Sequence, residues 1–141
     1  MAIPINNTTS ILDKDNTKKI GIKMPFQNSD DGYFDYTSLT LESVRENIIG
    51  LVKTRKGERL FQPDIDSGIG ILLFENFSKL TSNRLQSAIK DAVEKYEPRA
   101  LIQNITVNAL ENENAYTVNI TYIPDNDVLE ANLEVYLERT R

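Results

Sequence analysis

The chain contains no cysteine, no histidine and no tryptophan. Without cysteine there is no disulfide, no thiolate metal ligand and no cysteine nucleophile. Without histidine the commonest general acid–base and the commonest metal ligand are missing, which removes Ser-His-Asp triads and most zinc designs. Carboxylate chemistry survives these absences, because glycoside cleavage runs on two acidic side chains. No apolar run approaches the roughly 18 residues a membrane-spanning helix needs. Residues 1–7 have neither a basic start nor an apolar core, so no signal peptide is expected. A basic footprint for nucleic acid is also lacking, since the formal net charge is −5. The acidic excess reads as mild and mixed along the chain, favouring solubility over any particular ligand.

What is present is an ordinary apolar content, 40% of 141 residues. A chain of this length buries roughly two thirds of its unfolded surface, so one core and one domain are expected. Residues 1–16 are rich in Asn, Thr and Asp and read as a flexible or partner-ordered arm, leaving residues 17–141 as a single domain.

Ile20, Ile22, Met24 and Phe26 alternate with other residues, the period of a strand with one buried face, and Pro25 puts that strand near an edge or end. Residues 28–32 form a turn cluster, and Tyr33, Phe34 and Tyr36 follow as an aromatic patch expected to cover the core. Thr40 is positioned to cap a helix running to Lys53, with Leu41, Val44, Ile48, Leu51 and Val52 as its apolar stripe and Gly57 as its stop. The stretch from Ile69 to Phe77 is apolar nearly all round, which fits a short buried helix or a buried strand. Thr81 is positioned to cap a second long helix, with Leu85, Ala88, Ile89, Ala92, Val93 and Tyr96 on its inner face and Pro98 ending it. Three alternating stretches complete the chain: Ile102 with Ile105, Val107 and Ala109; Tyr116 to Tyr122; and Leu129 to Leu137. The first two join through a turn at residues 112–114, and Pro124-Asp125-Asn126-Asp127 breaks the second. The expected fold is α+β: two long helices and a short apolar element packed on a small, mainly antiparallel sheet. Glu130, Asn132, Glu134, Tyr136 and Glu138 make an acidic outer face on the last strand, which reads as an edge open to another chain.

Two motifs place opposite charges beside a residue that fixes the backbone. In Arg55-Lys56-Gly57-Glu58-Arg59 the glycine reaches dihedrals closed to other residues. In Glu97-Pro98-Arg99 the proline locks one dihedral. The plain reading of Glu58 and Arg59 is a solvated pair of little energetic weight. The sharper reading is a charge-assisted bond from Arg59 or its neighbour that holds the two helices or a partner. Arg55 and Lys56 read equally as surface cations or as contacts to a partner carboxylate. Arg99 has the planar donor set of an interface anchor, with a structural ion pair as the alternative.

Together these residues resemble a known family. Arg55 to Arg59 with Pro63, the glycine-bearing apolar stretch through Phe74, and Tyr96-Glu97-Pro98-Arg99 are similar to the baseplate wedge and sheath-initiator family of contractile-tailed phages. That family includes a baseplate component of type VI secretion systems. The resemblance runs over about residues 40–123, in the family's order of elements, with Ile65-Asp66 standing where many relatives carry an aromatic–glycine pair. It implies a non-enzymatic structural role in the virion tail: one copy in each wedge of a sixfold assembly, with baseplate wedge core proteins and the tail sheath protein as partners. Glu97, Pro98 and Arg99 would then meet the wedge core and the terminal strands would receive sheath segments. Arg55, Gly57, Glu58 and Arg59 join them as candidate partner-binding residues. No catalytic residue, cofactor, metal, nucleic acid or membrane enters this reading.

The rival reading is a lysozyme-like glycoside hydrolase built on Glu58, Asp64 and Asp66, a label some family members carry. Arg55, Lys56 and Arg59 crowd Glu58 with cations that favour its ionised form, the wrong direction for a proton donor. A third reading is an adaptor of another contractile or unrelated assembly. Gly68 and Gly70 lack the lysine of a phosphate loop, and Asp64 with Asp66 lacks the ligand spacing of a calcium loop.

Overall fold

The computed structural model describes residues 19–23, 26–28, 30, 34–125 and 130–139. Expectations for the arm, for Met24, Pro25 and Tyr33, and for Asn126 to Leu129 fall outside them. The elements run β1 (Gly21–Ile22), β2 (Tyr36–Thr37), α1 (Thr40–Lys53), α2 (Ile69–Leu72), α3 (Lys79–Tyr96), β3 (Ala100–Leu110), β4 (Ala115–Pro124) and β5 (Ala131–Glu138). The fold is α+β. One antiparallel sheet has the order β3-β4-β5; the other is the small β1-β2 pair.

The core lies between α1, α3 and one face of the three-stranded sheet. Val44, Ile48, Leu51 and Val52 come from α1, and Leu85, Ile89, Ala92 and Val93 from α3. Tyr116, Val118, Ile120 and Tyr122 face them from β4, and Ala131, Leu133, Val135 and Leu137 from β5. Helical spacing in one set and strict alternation in the other bring the apolar side chains to one layer.

Both helix starts differ from expectation, for local reasons. Leu39 is the residue before α1, with extended dihedrals and no side-chain cap, and Thr40 is the buried first helical residue. In α3 the cap is Ser78, whose Oγ accepts the Thr81 N–H at 3.1 Å, while the Thr81 hydroxyl donates to the Asn76 carbonyl. The end of α1 precedes Gly57: the Thr54 hydroxyl turns back to the Gly50 carbonyl at 2.6 Å and the chain leaves the helix extended. The end of α3 at Tyr96 agrees with the proline rule.

The 69–77 stretch resolves as a single helical turn rather than a strand, and it is not buried all round. Ile69 and Leu73 point inward while Ile71 is 74% exposed and Phe74 is exposed as well. β3 begins at Ala100, before Ile102. Ile102 pairs with Tyr122 and Asn104 with Thr121, so Gln103 is an extra residue in a β-bulge. Three residues apart, Ile102 and Ile105 would face opposite ways on a regular strand; the bulge keeps both on the core side. Pro124 does not break β4 early but ends it, buried and opposite Ala100.

The N-terminal alternation does not bury a face. Ile22, Phe26, Phe34 and Tyr36 are exposed, against the expectation that these aromatics cover the core. The β1-β2 pair is held by backbone bonds from Ile20 to Thr37 and from Lys23 to Asp35. It docks through Gly21, where a Cβ would lie 2.8 Å from both the Ser43 and Thr37 hydroxyls.

Tyr122 is fully enclosed, with Arg45, Glu46 and Glu97 as its charged surroundings. Burial pushes its phenol up to about 12 from 10.0. The folded state therefore keeps a proton that the unfolded chain releases near pH 10. That stability is complete below pH 10 and is lost as pH climbs toward 12, by about 2–3 kcal/mol. Urea unfolding of the native chain and of Tyr122→Phe at pH 8, 10, 11 and 12 measures it: the native chain should lose this extra stability and the variant should not.

Candidate docking site at the Glu97–Arg99 corner

The turn from α3 into β3 is built on Glu97-Pro98-Arg99. Glu97 is the C-cap of α3, its N–H bonded to the Val93 carbonyl at 2.8 Å. Its own carbonyl accepts from Ala100, and the Arg99 carbonyl accepts from Asp125. With Pro98 outward, the Glu97 side chain turns in and is only 5% exposed. Arg99 Nε donates to Glu97 Oε1 at 2.7 Å and Arg99 Nη2 to Oε2 at 3.0 Å. Asn47 Nδ2, from α1, donates to the same Oε2 at 2.8 Å. The Arg99 guanidinium is pushed above its ordinary value, first by its hydrogen bond to Glu97.

The charged pair is thus bound within the chain. Asn47, not Arg59, ties the helices together; Arg59 forms no salt bridge among the described residues. The fold nevertheless brings the two motifs to one place. Arg59, Phe61, Gln62, Pro63, Asp64 and Glu97 line a single cleft of about 580 Å³, closed on the helix side by Asn47, Leu51 and Tyr96.

Arg55 and Glu58 lie elsewhere on the loop and serve its backbone. Glu58 Oε2 accepts the Arg55 N–H at 2.8 Å and the Glu58 N–H returns to the Arg55 carbonyl. Gly57 between them has φ +82°, which explains the glycine. The Arg55 side chain lines a second cleft with Gly70, Tyr136 and Glu138, away from Glu97. Sequence reasoning missed Asn47, a polar residue beside an apolar stripe with nothing in its spacing to mark it. It also passed over Leu60 and Phe61.

The acidic excess is concentrated in the sheet half rather than spread along the chain. From Ala100 to Glu138 the chain has no lysine or arginine, while Glu111, Glu113, Asp125, Asp127, Glu130, Glu134 and Glu138 are acidic. Glu134, Tyr136 and Glu138 face outward on β5, and both β3 and β5 are edges of their sheet. Among the described residues no three of Asp, Glu, His or Cys gather as a metal site. No described helix is long and apolar enough to cross a membrane.

Removing Arg99 should leave a buried carboxylate held by Asn47 alone. Arg99→Ala is expected to cost about 1–2 kcal/mol, less than a fully buried pair because the guanidinium is partly in water. Adding Glu97→Gln should restore part of that loss, as a thermal or urea double-mutant cycle reads directly.

Set against known proteins, residues 39–127 match the family model described as baseplate wedge protein gp25. The baseplate wedge protein gp25 of Enterobacteria phage T4 is 37% identical over 81 residues, 57% of this chain and 60% of that protein. The chain therefore spans about three fifths of that relative's length. A solved structure from Geobacter sulfurreducens described as a tail lysozyme superposes with a TM-score of 0.69 at 24% identity, covering 76% of this chain and 97% of that one. A chain of the anti-feeding prophage baseplate superposes with a TM-score of 0.59 at 18% identity, covering 88% and 87%. At such identities the two structures share the fold. The matched residues take in both motif loops, all three helices, β3 and β4: the chain belongs to the baseplate wedge protein gp25 family.

Proposed function

We propose that the chain is a structural, non-enzymatic part of a contractile-tail baseplate wedge, joining the wedge core to the sheath and starting sheath polymerisation. The family match over residues 39–127 carries this reading. Two features of the molecule support it. The sheet ends in two edges, β3 and β5, whose outward backbone groups suit strand addition by a sheath segment. The Glu97–Arg99 corner is fixed before any partner arrives, so docking there orders little. On this reading Glu97, Pro98 and Arg99, with Arg59 at the same cleft, form the wedge-core side, the terminal strands form the sheath side, and Arg55, Gly57 and Glu58 are further partner-binding residues on the loop. Copies are arranged sixfold by the wedges, in the baseplate of a tail assembled in the host cytoplasm. The chain is one domain from residue 17 onward.

The likeness to a tail lysozyme structure favours a hydrolase as the second reading. Its carboxylates are otherwise engaged. Glu58 holds the Arg55 N–H, Asp66 Oδ1 holds the Gly68 N–H at 2.8 Å, and both Glu97 oxygens accept side-chain donors. Asp64 remains at the cleft, one carboxylate where glycoside cleavage uses two.

Deleting β5 is unsuited as a test, because Leu133, Val135 and Leu137 belong to the core. Pull-down by the purified chain should capture both wedge-core and sheath proteins. Glu134→Lys with Glu138→Lys should lower sheath capture alone. Glu97→Gln with Arg99→Ala should lower wedge-core capture alone. Release of soluble sugar from cell-wall peptidoglycan, or capture of neither partner, would overturn the reading.

A further inference from the structure

The loop leaving α1 is a run of three turns: Arg55 to Glu58, Arg59 to Gln62 and Gln62 to Ile65, each closed by a backbone bond from its last residue to its first. A further bond from the Gly57 N–H to the Pro63 carbonyl, at 3.2 Å, clasps its base. Leu60 and Phe61 are the two central residues of the middle turn. Turn centres favour Gly, Pro, Asn, Asp and Ser, because those residues accept the dihedrals or satisfy the backbone locally. Here two large apolar side chains stand at the tip, Leu60 90% exposed and Phe61 97% exposed. They contribute nothing to the core.

We propose that Leu60 and Phe61 form a preorganised docking knuckle that inserts into an apolar pocket on another protein, one rimmed by carboxylates. Preorganisation follows from the clasped turns, and large apolar side chains entering a pocket are the usual energetic centre of an interface. The charge of the rim chooses the partner. Lys56, Arg59 and, across the cleft, Lys95 form no salt bridge among the described residues, Lys95 lying over the Tyr96 ring at 4.8 Å. Of the nearby carboxylates, Glu58 caps the Arg55 N–H and Glu97 is bound by Arg99 and Asn47, which leaves Asp64 at the cleft. The knuckle is thus flanked in the chain by Lys56 and Arg59, cations in no salt bridge among the described residues, on a chain of net charge −5. A lipid surface would meet the same cations, but two apolar residues are a shallow anchor and the acidic remainder of the chain opposes approach to anionic headgroups.

The inference relies on the baseplate reading only for its probe, the wedge-core proteins. Their affinity for the full chain is measured by titration at low and high salt, for the native chain and for Leu60→Ser with Phe61→Ser. The double variant should keep the native melting temperature and bind about 100-fold more weakly. Lys56→Ala with Arg59→Ala should slow association and flatten the salt dependence. Native binding by the serine variant, while the native chain binds normally, overturns this inference alone. A native chain that captures neither wedge-core nor sheath protein overturns the baseplate reading and this one with it. Two results would reassign the knuckle and so overturn the proposal: knuckle-dependent sedimentation with phosphatidylglycerol vesicles, or a knuckle-dependent dimer in ultracentrifugation.

Discussion

The Glu97 carboxylate, turned inward at the end of α3, is the constraint around which the rest is arranged. It sits at the negative end of a helix dipole and almost out of water, and both conditions disfavour an anion. Three donor contacts offset them, two from Arg99 and one from Asn47. The two donor residues reach from different places: Arg99 stands at the threshold of β3 and Asn47 on α1. One acidic group therefore fixes how α1, α3 and the sheet meet. Pro98 makes this possible, since it stops α3 and brings residues 97 and 99 round to the same side.

Around that junction the molecule divides by charge. The sheet half, from Ala100 to Glu138, holds acids and no cations, whereas the helical half and its turn-rich loop mix lysines and arginines with as many acids. The net charge comes from the sheet half, since residues 1–99 carry as many acidic as basic side chains, 14 of each. A connector benefits from such a division, because complementary potentials orient encounters and repel the wrong partner more than they add affinity. A partner strand bearing cations is suited to the sheet, and a carboxylate-rimmed surface is suited to the loop.

Much of this was legible in the residues alone. Alternation exposed β4 and β5, helical spacing exposed α1 and α3, and the proline in Glu97-Pro98-Arg99 marked the helix end. Three things were not. The α3 cap lies three residues before Thr81, because Ser78 offers the same chemistry and only backbone geometry chooses between them. The bulge at Gln103 was hidden, since two isoleucines three residues apart look like a break in alternation until an extra residue restores it. The β1-β2 segment alternates as a half-buried strand would, yet four of its apolar residues face solvent; periodicity reports a possible face, not what covers it. At the site, the pair Glu97 and Arg99 was visible but its direction was not. A single chain gives no sign that the carboxylate points in and that Asn47, fifty residues earlier, meets it.

The direction matters because it changes what Arg99 offers a partner. A guanidinium free in solution would lose rotational freedom and hydration on binding. Arg99 has already lost part of both to Glu97, and its remaining exposed edge is aimed by that bond. Its attraction for a second carboxylate is weakened by the first, so its contribution lies in orientation more than in strength. Strength must then come from apolar area, and near this corner the large side chains standing free in water are Leu60 and Phe61, on turns clasped beside the same cleft. On the proposed reading, a fixed ionic corner that sets angle and a stiff apolar tip that supplies grip are complementary parts of one surface, assembled from segments more than thirty residues apart in the chain.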